Sequence, residues 1–272
     1  MDRRLQWYHG RRRIRAPGLV KHVPEPTAAW RFADDLTLDR TGVEGRLSQL
    51  DEYAIEQCVR LAEAGADVEI ACVTMGPAPA ADALRKALAM GGHRGVHVLD
   101  GALPGSDALA TSLVLAEAVR RLGFDLVVCG MASTDAEMSV VPSMVAERLG
   151  VPQATNASAL AIDGASVTVR RETDSATEEV VVPLPAVVSV TDQSGEPRYP
   201  AFKAIMAARK KPVDTWSLAD LGVDPADVGR AASGTVVEDA QPRPPRTAGT
   251  VVVDEGDGAA RLAEYLTATA FR

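Results

Sequence analysis

Between Val68 and Leu149 three short apolar runs alternate with three helical periods, and this alternation limits the fold more than any other feature of the chain. Val68-Glu69-Ile70-Ala71-Cys72-Val73 reads as a strand, followed by Gly76-Pro77 and a helix that turns Ala80, Ala83, Leu84, Ala87 and Leu88 inward. Gly95-Val96-His97-Val98-Leu99 is a second strand, after which Ser106-Asp107 caps a helix through Leu109, Leu113, Ala116 and Val119. Phe124 to Cys129 is the third strand, ending at Gly130, and a helix is predicted from about Glu137 to Leu149. Strands joined by helices of this length pair in parallel, because a parallel neighbour needs a crossover connection. The predicted fold class is α/β, with a doubly wound, mainly parallel sheet.

The flanks of this region differ from it. Residues 1–16 hold six arginines against a single acid, Asp2, and lack the apolar stretch of a signal peptide. They read as a disordered or wrongly assigned start, with an Arg-rich transit peptide as the alternative. Only Gly18-Leu19-Val20 then precede Lys21, so the first strand is expected to be short. Leu36 to Arg46 reads as a short hairpin or loop. From Leu50 the period is helical, with Leu50, Ala54, Cys58, Leu61 and Ala62 on one stripe, Ser48 as N-cap and Asp51 in the first turn. Beyond Gln153 the pattern becomes β-rich: Ala157 to Ile162, the Asp163-Gly164 turn and Ser166 to Arg171 form a hairpin. Val180 to Val182 and Ala186 to Val190 add strands, so the later sheet is partly antiparallel. After Pro212 prolines and glycines mark an extended arm, closed by a short amphipathic helix over Ala259 to Thr267. The expected division is 17–215 for the α/β domain and 216–272 for the arm.

A net charge of −8 argues against nucleic acid as the main partner, because phosphate binding needs a basic surface. No apolar run approaches the roughly 20 residues needed to span a bilayer. Cys58, Cys72 and Cys129 make neither a metal motif nor a disulfide framework, which points to a cytoplasmic chain. His93 and His97 lack partners at metal or triad spacing, and no Walker or GxGxxG loop is present. This absence of catalytic groups fits a carrier better than an enzyme.

Two stretches are candidates for function. Gly130-Met131-Ala132-Ser133-Thr134-Asp135-Ala136-Glu137-Met138-Ser139 follows the C-terminal end of a parallel strand, where open α/β sheets bind ligands and helix N-termini favour phosphate. Thr134 with Glu137 equally fits a capping box, so the residues alone leave both readings open. The second stretch runs from Pro183 to Lys211: a strand, then a loop with two prolines, then a helix with Phe202, Ile205 and Met206 on one face and a basic end. It suits a docking surface, and it is also compatible with an ordinary strand–loop–helix connection.

The second stretch resembles the electron-transfer flavoprotein β-subunit family. The resemblance rests on Val169-Arg170-Arg171-Glu172-Thr173-Asp174-Ser175-Ala176-Thr177-Glu178, continuing to Pro185-Ala186-Val187-Val188-Ser189. Glu196-Pro197-Arg198-Tyr199 and Ile205-Met206-Ala207-Ala208-Arg209-Lys210-Lys211 resemble that family's loop for recognising acyl-CoA dehydrogenases, and Pro244-Pro245-Arg246-Thr247-Ala248-Gly249 resembles its C-terminal arm. Ser175 and Ala176 replace two glycines usual in the family.

The resemblance implies an electron carrier, one subunit of a heterodimer that shares FAD with an α subunit. Electrons would come from acyl-CoA dehydrogenases and leave for a membrane quinone oxidoreductase, and the C-terminal helix would pack on the α subunit. It also implies a structural AMP, with Leu19, Ser48, Asp51, Met75, Gly130, Ser133, Thr134, Asp135 and Ser139 as nucleotide-binding positions. Ser139-Val140-Val141 stands where the family has Asn-Gln-Thr phosphate contacts, so backbone amides would hold the phosphate. Glu196, Arg198, Tyr199, Phe202, Ile205 and Met206 are the implied docking residues, with Phe202 as the apolar anchor. A stand-alone adenine-nucleotide-binding regulator of universal-stress type, and a bifurcating relative with a second FAD in place of AMP, are the alternatives.

Overall fold

A computed structural model describes residues 13–241, 243–245, 249 and 251–269 of the chain. Residues 1–12 of the Arg-rich start, and Arg246-Thr247-Ala248 of the arm sequence, lie outside the described residues. The chain divides into two units, Met1–Glu238 and Asp239–Arg272.

The larger unit is built on a nine-stranded sheet. Its strands are β1 (Ile14–Leu19), β4 (Val68–Met75), β5 (Arg94–Val98), β6 (Leu126–Gly130), β7 (Gln153–Asp163), β8 (Ser166–Glu172), β9 (Thr177–Pro183), β10 (Ala186–Val190) and β11 (Val213–Trp216). They lie in the order β11-β5-β4-β1-β6-β10-β7-β8-β9. Every pairing from β11 to β7 is parallel, and β8 and β9 add antiparallel strands at the far edge. Two further strands, β2 (His22–Pro24) and β3 (Gly45–Leu47), pair with each other as a separate antiparallel ribbon around the loop 25–44.

Helices α1 (Gln49–Glu63) and α2 (Ala81–Met90) cover one face, and α3 (Ala108–Leu122) and α4 (Val141–Leu149) the other. Successive strand residues therefore face two separate cores. Cys72, Val128 and Val188 pack with Ile55, Cys58 and Leu84, whereas Val73, Val127 and Val187 pack with Val114, Ala118 and Val145. A sheet buried on both faces needs unbroken β-branched runs, which is why these strands were legible as apolar stretches rather than as alternating ones. All three cysteines are buried thiols, and burial raises the pKa of each.

β1 corrects the expectation of a disordered start and a short first strand. Residues 14–16 belong to a strand that pairs with β4 along its whole length, from Ile14↔Val68 to Leu19↔Val73. Ile14 and Ala16 are buried, while Arg15 turns outward and its main-chain N–H donates to Asp125 Oδ2 at 2.9 Å. Arg15 thus marks the pleat of a strand rather than a tail. Pro17, which cannot donate to a ladder, is tolerated where β1 meets β6 through the single pair Gly18↔Val128. A side chain at Gly18 would meet Ile55 Cδ1 at 2.6 Å, so glycine lets α1 lie close on the strand.

The larger unit also continues beyond the expected boundary at residue 215. β11 adds an edge strand beside β5, and α6 (Leu218–Leu221) begins in a capping box in which Ser217 and Asp220 satisfy each other's N–H groups. Leu218 and Val223 are buried with the α3–α4 core, as is Val228 just before α7 (Gly229–Ala232). Chain that looked loose after Pro212 is held by short elements with few turns of periodicity to read. The smaller unit holds α8 (Gly258–Thr269), whose Leu262, Tyr265 and Leu266 are exposed, as are Val251, Val252 and Val253 before it.

Candidate functional site

Sheet connectivity reverses beside β1. The path from β1 through α1 to β4 and β5 runs one way, and β6 lies on the other side. Such a switch point leaves a crevice at the carboxyl ends of the strands. Leu19, the first turn of α1 and the loop after Gly130 all end there, so the fold collects positions that lie more than a hundred residues apart.

Asp51 ties these parts together. Its buried carboxylate accepts the main-chain N–H of Lys21 at 2.8 Å and that of Gly130 at 3.3 Å. Ser48 occupies the N-cap position of α1, yet its hydroxyl does not cap the helix; Oγ instead accepts the N–H of Thr134 at 3.4 Å. A side chain at Gly130 would meet Asp51 Oδ1 at 2.7 Å and the Leu50 carbonyl carbon at 2.8 Å, so this strand end passes directly under α1.

The two acids of the crevice are shifted in opposite directions. Burial pushes Asp51 up to about 7, against the pull of its two N–H donors. Asp135 is also raised by burial, but the charge and hydrogen bond of Lys21, with contacts from Arg40 and Ser133, bring it down to about 2. Lys21 Nζ lies 2.8 Å from Asp135 Oδ1 and 3.3 Å from Ser133 Oγ, and the Arg40 guanidinium binds Asp135 Oδ2.

Asp51 has a consequence for stability. In the folded chain it keeps its proton to about pH 7, whereas unfolded it loses it near 3.8, so unfolding releases a proton between these values. Its contribution is present in full below about pH 4 and declines as pH rises to 7. The melting temperature of wild type relative to Asp51→Asn is expected to fall across that window; parallel Tm–pH profiles would contradict it.

The structure departs from the expected capping box. No helix begins at Glu137: α4 starts at Val141, with Pro142 in its first turn. Glu137 (φ 49°) and Ser139 (φ 56°) adopt left-handed backbone, and Glu137 N–H bonds to Ser133 O at 2.9 Å in a turn. The Thr134 hydroxyl oxygen is buried and has no hydrogen-bond partner among the described residues. Leu19 is buried at the strand end, and Met75 ends β4 beside Gly76. Ser139 is exposed and stands outside the hydrogen-bonded set. Lys21 and Arg40 were missed as site residues; Lys21 was visible only as part of a strand ending, and Arg40 only as one arginine in a polar loop.

The second candidate stretch is pinned to α1 from beneath. Gln57 Nε2 donates to Ser194 O at 2.7 Å, and Arg60 donates to Ser194 O and Glu196 O at 3.2 and 3.0 Å. Arg198 reaches Glu56 through Nε at 2.7 Å and Glu63 through its two terminal nitrogens at 2.7 and 2.9 Å. Burial would raise the Glu56 carboxyl, but the Arg198 hydrogen bonds outweigh it and leave the pKa lowered. Helix α5 (Phe202–Ala208) then lies against α2, and Lys211 Nζ donates to Leu88 O and Gly92 O at that helix's C-terminal end. With the underside fixed, Tyr199 (94% exposed), Phe202 (78%), Ile205 and Met206 face outward. Arg198, an expected docking residue, uses its guanidinium inside the chain, while Glu196 is exposed.

His93 and His97 serve structural contacts. His93 Nδ1 accepts the Ile70 N–H at 2.9 Å, and His97 Nε2 lies 2.9 Å from Gly76 O. Among the described residues no group of His, Cys, Asp and Glu is placed to hold a metal, and no helix is long and apolar enough to cross a membrane.

Comparison with known proteins identifies the family of the chain. Residues 35–221 match the electron transfer flavoprotein domain. The chain is 40% identical to the electron transfer flavoprotein subunit beta of Mycobacterium leprae over 256 residues, covering 92% of this chain and 96% of that protein. It is 36% identical to the subunit of the same name from Syntrophomonas wolfei (92% and 94% covered) and 31% identical to that from Megasphaera elsdenii (88% and 91%). The switch-point crevice and the pinned apolar stretch thus stand in a chain that belongs to the electron transfer flavoprotein β-subunit family, a family of electron carriers.

Proposed function

We propose that the chain is one subunit of a heterodimer that takes electrons from acyl-CoA dehydrogenases and delivers them to a membrane quinone oxidoreductase, acting in the cytoplasm and without catalytic residues of its own. The observation that carries this reading is the apolar face of Tyr199, Phe202, Ile205 and Met206, exposed on a segment that α1 and α2 hold rigid. An aromatic anchor on a fixed support suits a transient interface, because little side-chain or loop freedom remains to be lost on docking. The FAD shared with the α subunit would supply the redox chemistry when bound.

The crevice is read as the site of a structural AMP. The buried Thr134 hydroxyl, without a partner among the described residues, and the two cations beside Asp135 fit a phosphate and its hydrogen-bonding needs. Gly130, Ser133 and Asp135 shape the loop, and Ser48 and Asp51 fix it to α1. The exposed apolar residues of α8 and of Val251–Val253 support an arm that packs on the α subunit. Arg170 and Arg171, ion-paired with Glu172 and Glu178 on the outer hairpin, are assigned to the same interface. Anaerobic mixing of the heterodimer with a substrate-reduced acyl-CoA dehydrogenase tests the reading. Loss of the oxidised flavin absorbance is expected, and a flavin that stays oxidised would overturn it.

A further inference from the structure

We propose that Arg40 is the phosphate-recognising residue of the crevice, and that Asp135 is its built-in counter-ion, which a bound phosphate displaces. This rests on the reading of the crevice as a nucleotide site.

Arg40 reaches the crevice from the loop 25–44, outside the strands and helices that otherwise form it. The backbone beside it is fixed, since Asp39 Oδ1 accepts the N–H of Thr41 at 2.8 Å and its hydroxyl at 2.6 Å. Further back, Asp35 is ion-paired with Arg230. The guanidinium is therefore delivered to Asp135 by a braced loop, and 41% of its side chain remains exposed.

Charge and donor capacity at this point are unbalanced. The Asp135 carboxylate is covered by protein and faces two cations. Lys21 is committed twice through Nζ, to Asp135 Oδ1 and Ser133 Oγ, and its main-chain N–H is held by Asp51. Arg40 meets Asp135 through one terminal nitrogen of a fork with five N–H donors, a geometry suited to bidentate phosphate binding. Next in sequence to Asp135, the buried Thr134 hydroxyl has no partner among the described residues, and the Thr134 N–H has only a long contact with Ser48. An anion entering beside Asp135 would find the part-exposed Arg40 side chain, with the spare Thr134 hydroxyl and its weakly held amide one residue away along the loop. Lys21 would keep Asp135 neutralised while Arg40 turns to the ligand, so the two acids of the crevice need not repel it.

The test is calorimetric titration of the nucleotide-stripped, FAD-loaded heterodimer with AMP and with adenosine. Wild type is expected to prefer AMP. Arg40→Gln should weaken AMP binding about tenfold or more, the scale of a charge-assisted hydrogen bond, and change adenosine binding less than about twofold. Asp135→Asn, which removes the competing carboxylate, should widen the preference for AMP. If Arg40→Gln weakens both ligands alike, Arg40 only orders the loop and the proposal fails. Unchanged AMP binding in that variant, or a narrower preference in Asp135→Asn, also overturns it. Wild type that binds neither ligand would remove the nucleotide reading itself.

Discussion

Phe202→Ala is expected to slow reduction of the heterodimer's flavin by an acyl-CoA dehydrogenase about thirtyfold at subsaturating concentration, with the flavin spectrum and melting temperature unchanged. The size follows from the cost of truncating an aromatic hot spot, about 2 kcal/mol or more, at 1.4 kcal/mol per factor of ten. The lack of a stability cost follows from its position: 78% of Phe202 is exposed, so the folded chain loses little packing with it. What it does lose is an exposed aromatic ring on a support that cannot rearrange to compensate, because Gln57, Arg60 and Arg198 fix the loop before it and Lys211 fixes the segment after it. Stopped-flow absorbance with the reduced dehydrogenase in excess measures the rate. A rate equal to wild type would place the dehydrogenase elsewhere on the surface.

Gly130→Ala should produce the opposite pattern, damage to the crevice with the docking face intact. The added methyl group would lie 2.7 Å from Asp51 Oδ1 and 2.8 Å from the Leu50 carbonyl carbon. Neither neighbour is the free end of a flexible chain: Asp51 is buried with its two N–H partners, and Leu50 is helix backbone. Overpacking of this kind costs about 1–3 kcal/mol, or roughly 2–12 °C in Tm for a domain of this size. Since the shift needed to relieve it would part α1 from the end of β6, the purified variant is also expected to lose its AMP. Calorimetry and nucleotide analysis of the same sample check both effects, and a variant with wild-type Tm and full AMP content would contradict this account of the crevice.

The central α/β unit was legible because its signals are repetitive. Six or so residues of β-branched chain, then three turns of helical period, occur several times in succession and support one another. β1 lacked that support, since Arg13 and Arg15 flank its first apolar residue and it contains Pro17. Its place in the middle of the sheet emerges only when β4 and β6 are seen on either side. The loop after Gly130 misled for a different reason: Thr134 and Glu137 have the spacing of a capping box, but left-handed backbone at Glu137 and Ser139 is a property of the folded loop that their residue types do not announce. The ionic contacts were the least legible. Arg40 and Asp135 are 95 positions apart, and Arg198 lies 142 positions from Glu56, distances across which no periodicity carries information. Docking residues could be picked out by resemblance, whereas the braces that hold them, Glu56, Gln57, Arg60 and Glu63, could not.

Native mass spectrometry of the complex purified after co-expression with its partner subunit tests the central claim most directly, because partner and cofactors are weighed together. One copy of each subunit with one FAD and one AMP is the predicted composition. A second FAD in place of AMP would contradict the reading of the crevice, and a colourless homodimer of this chain carrying ATP would contradict the assignment as a carrier subunit.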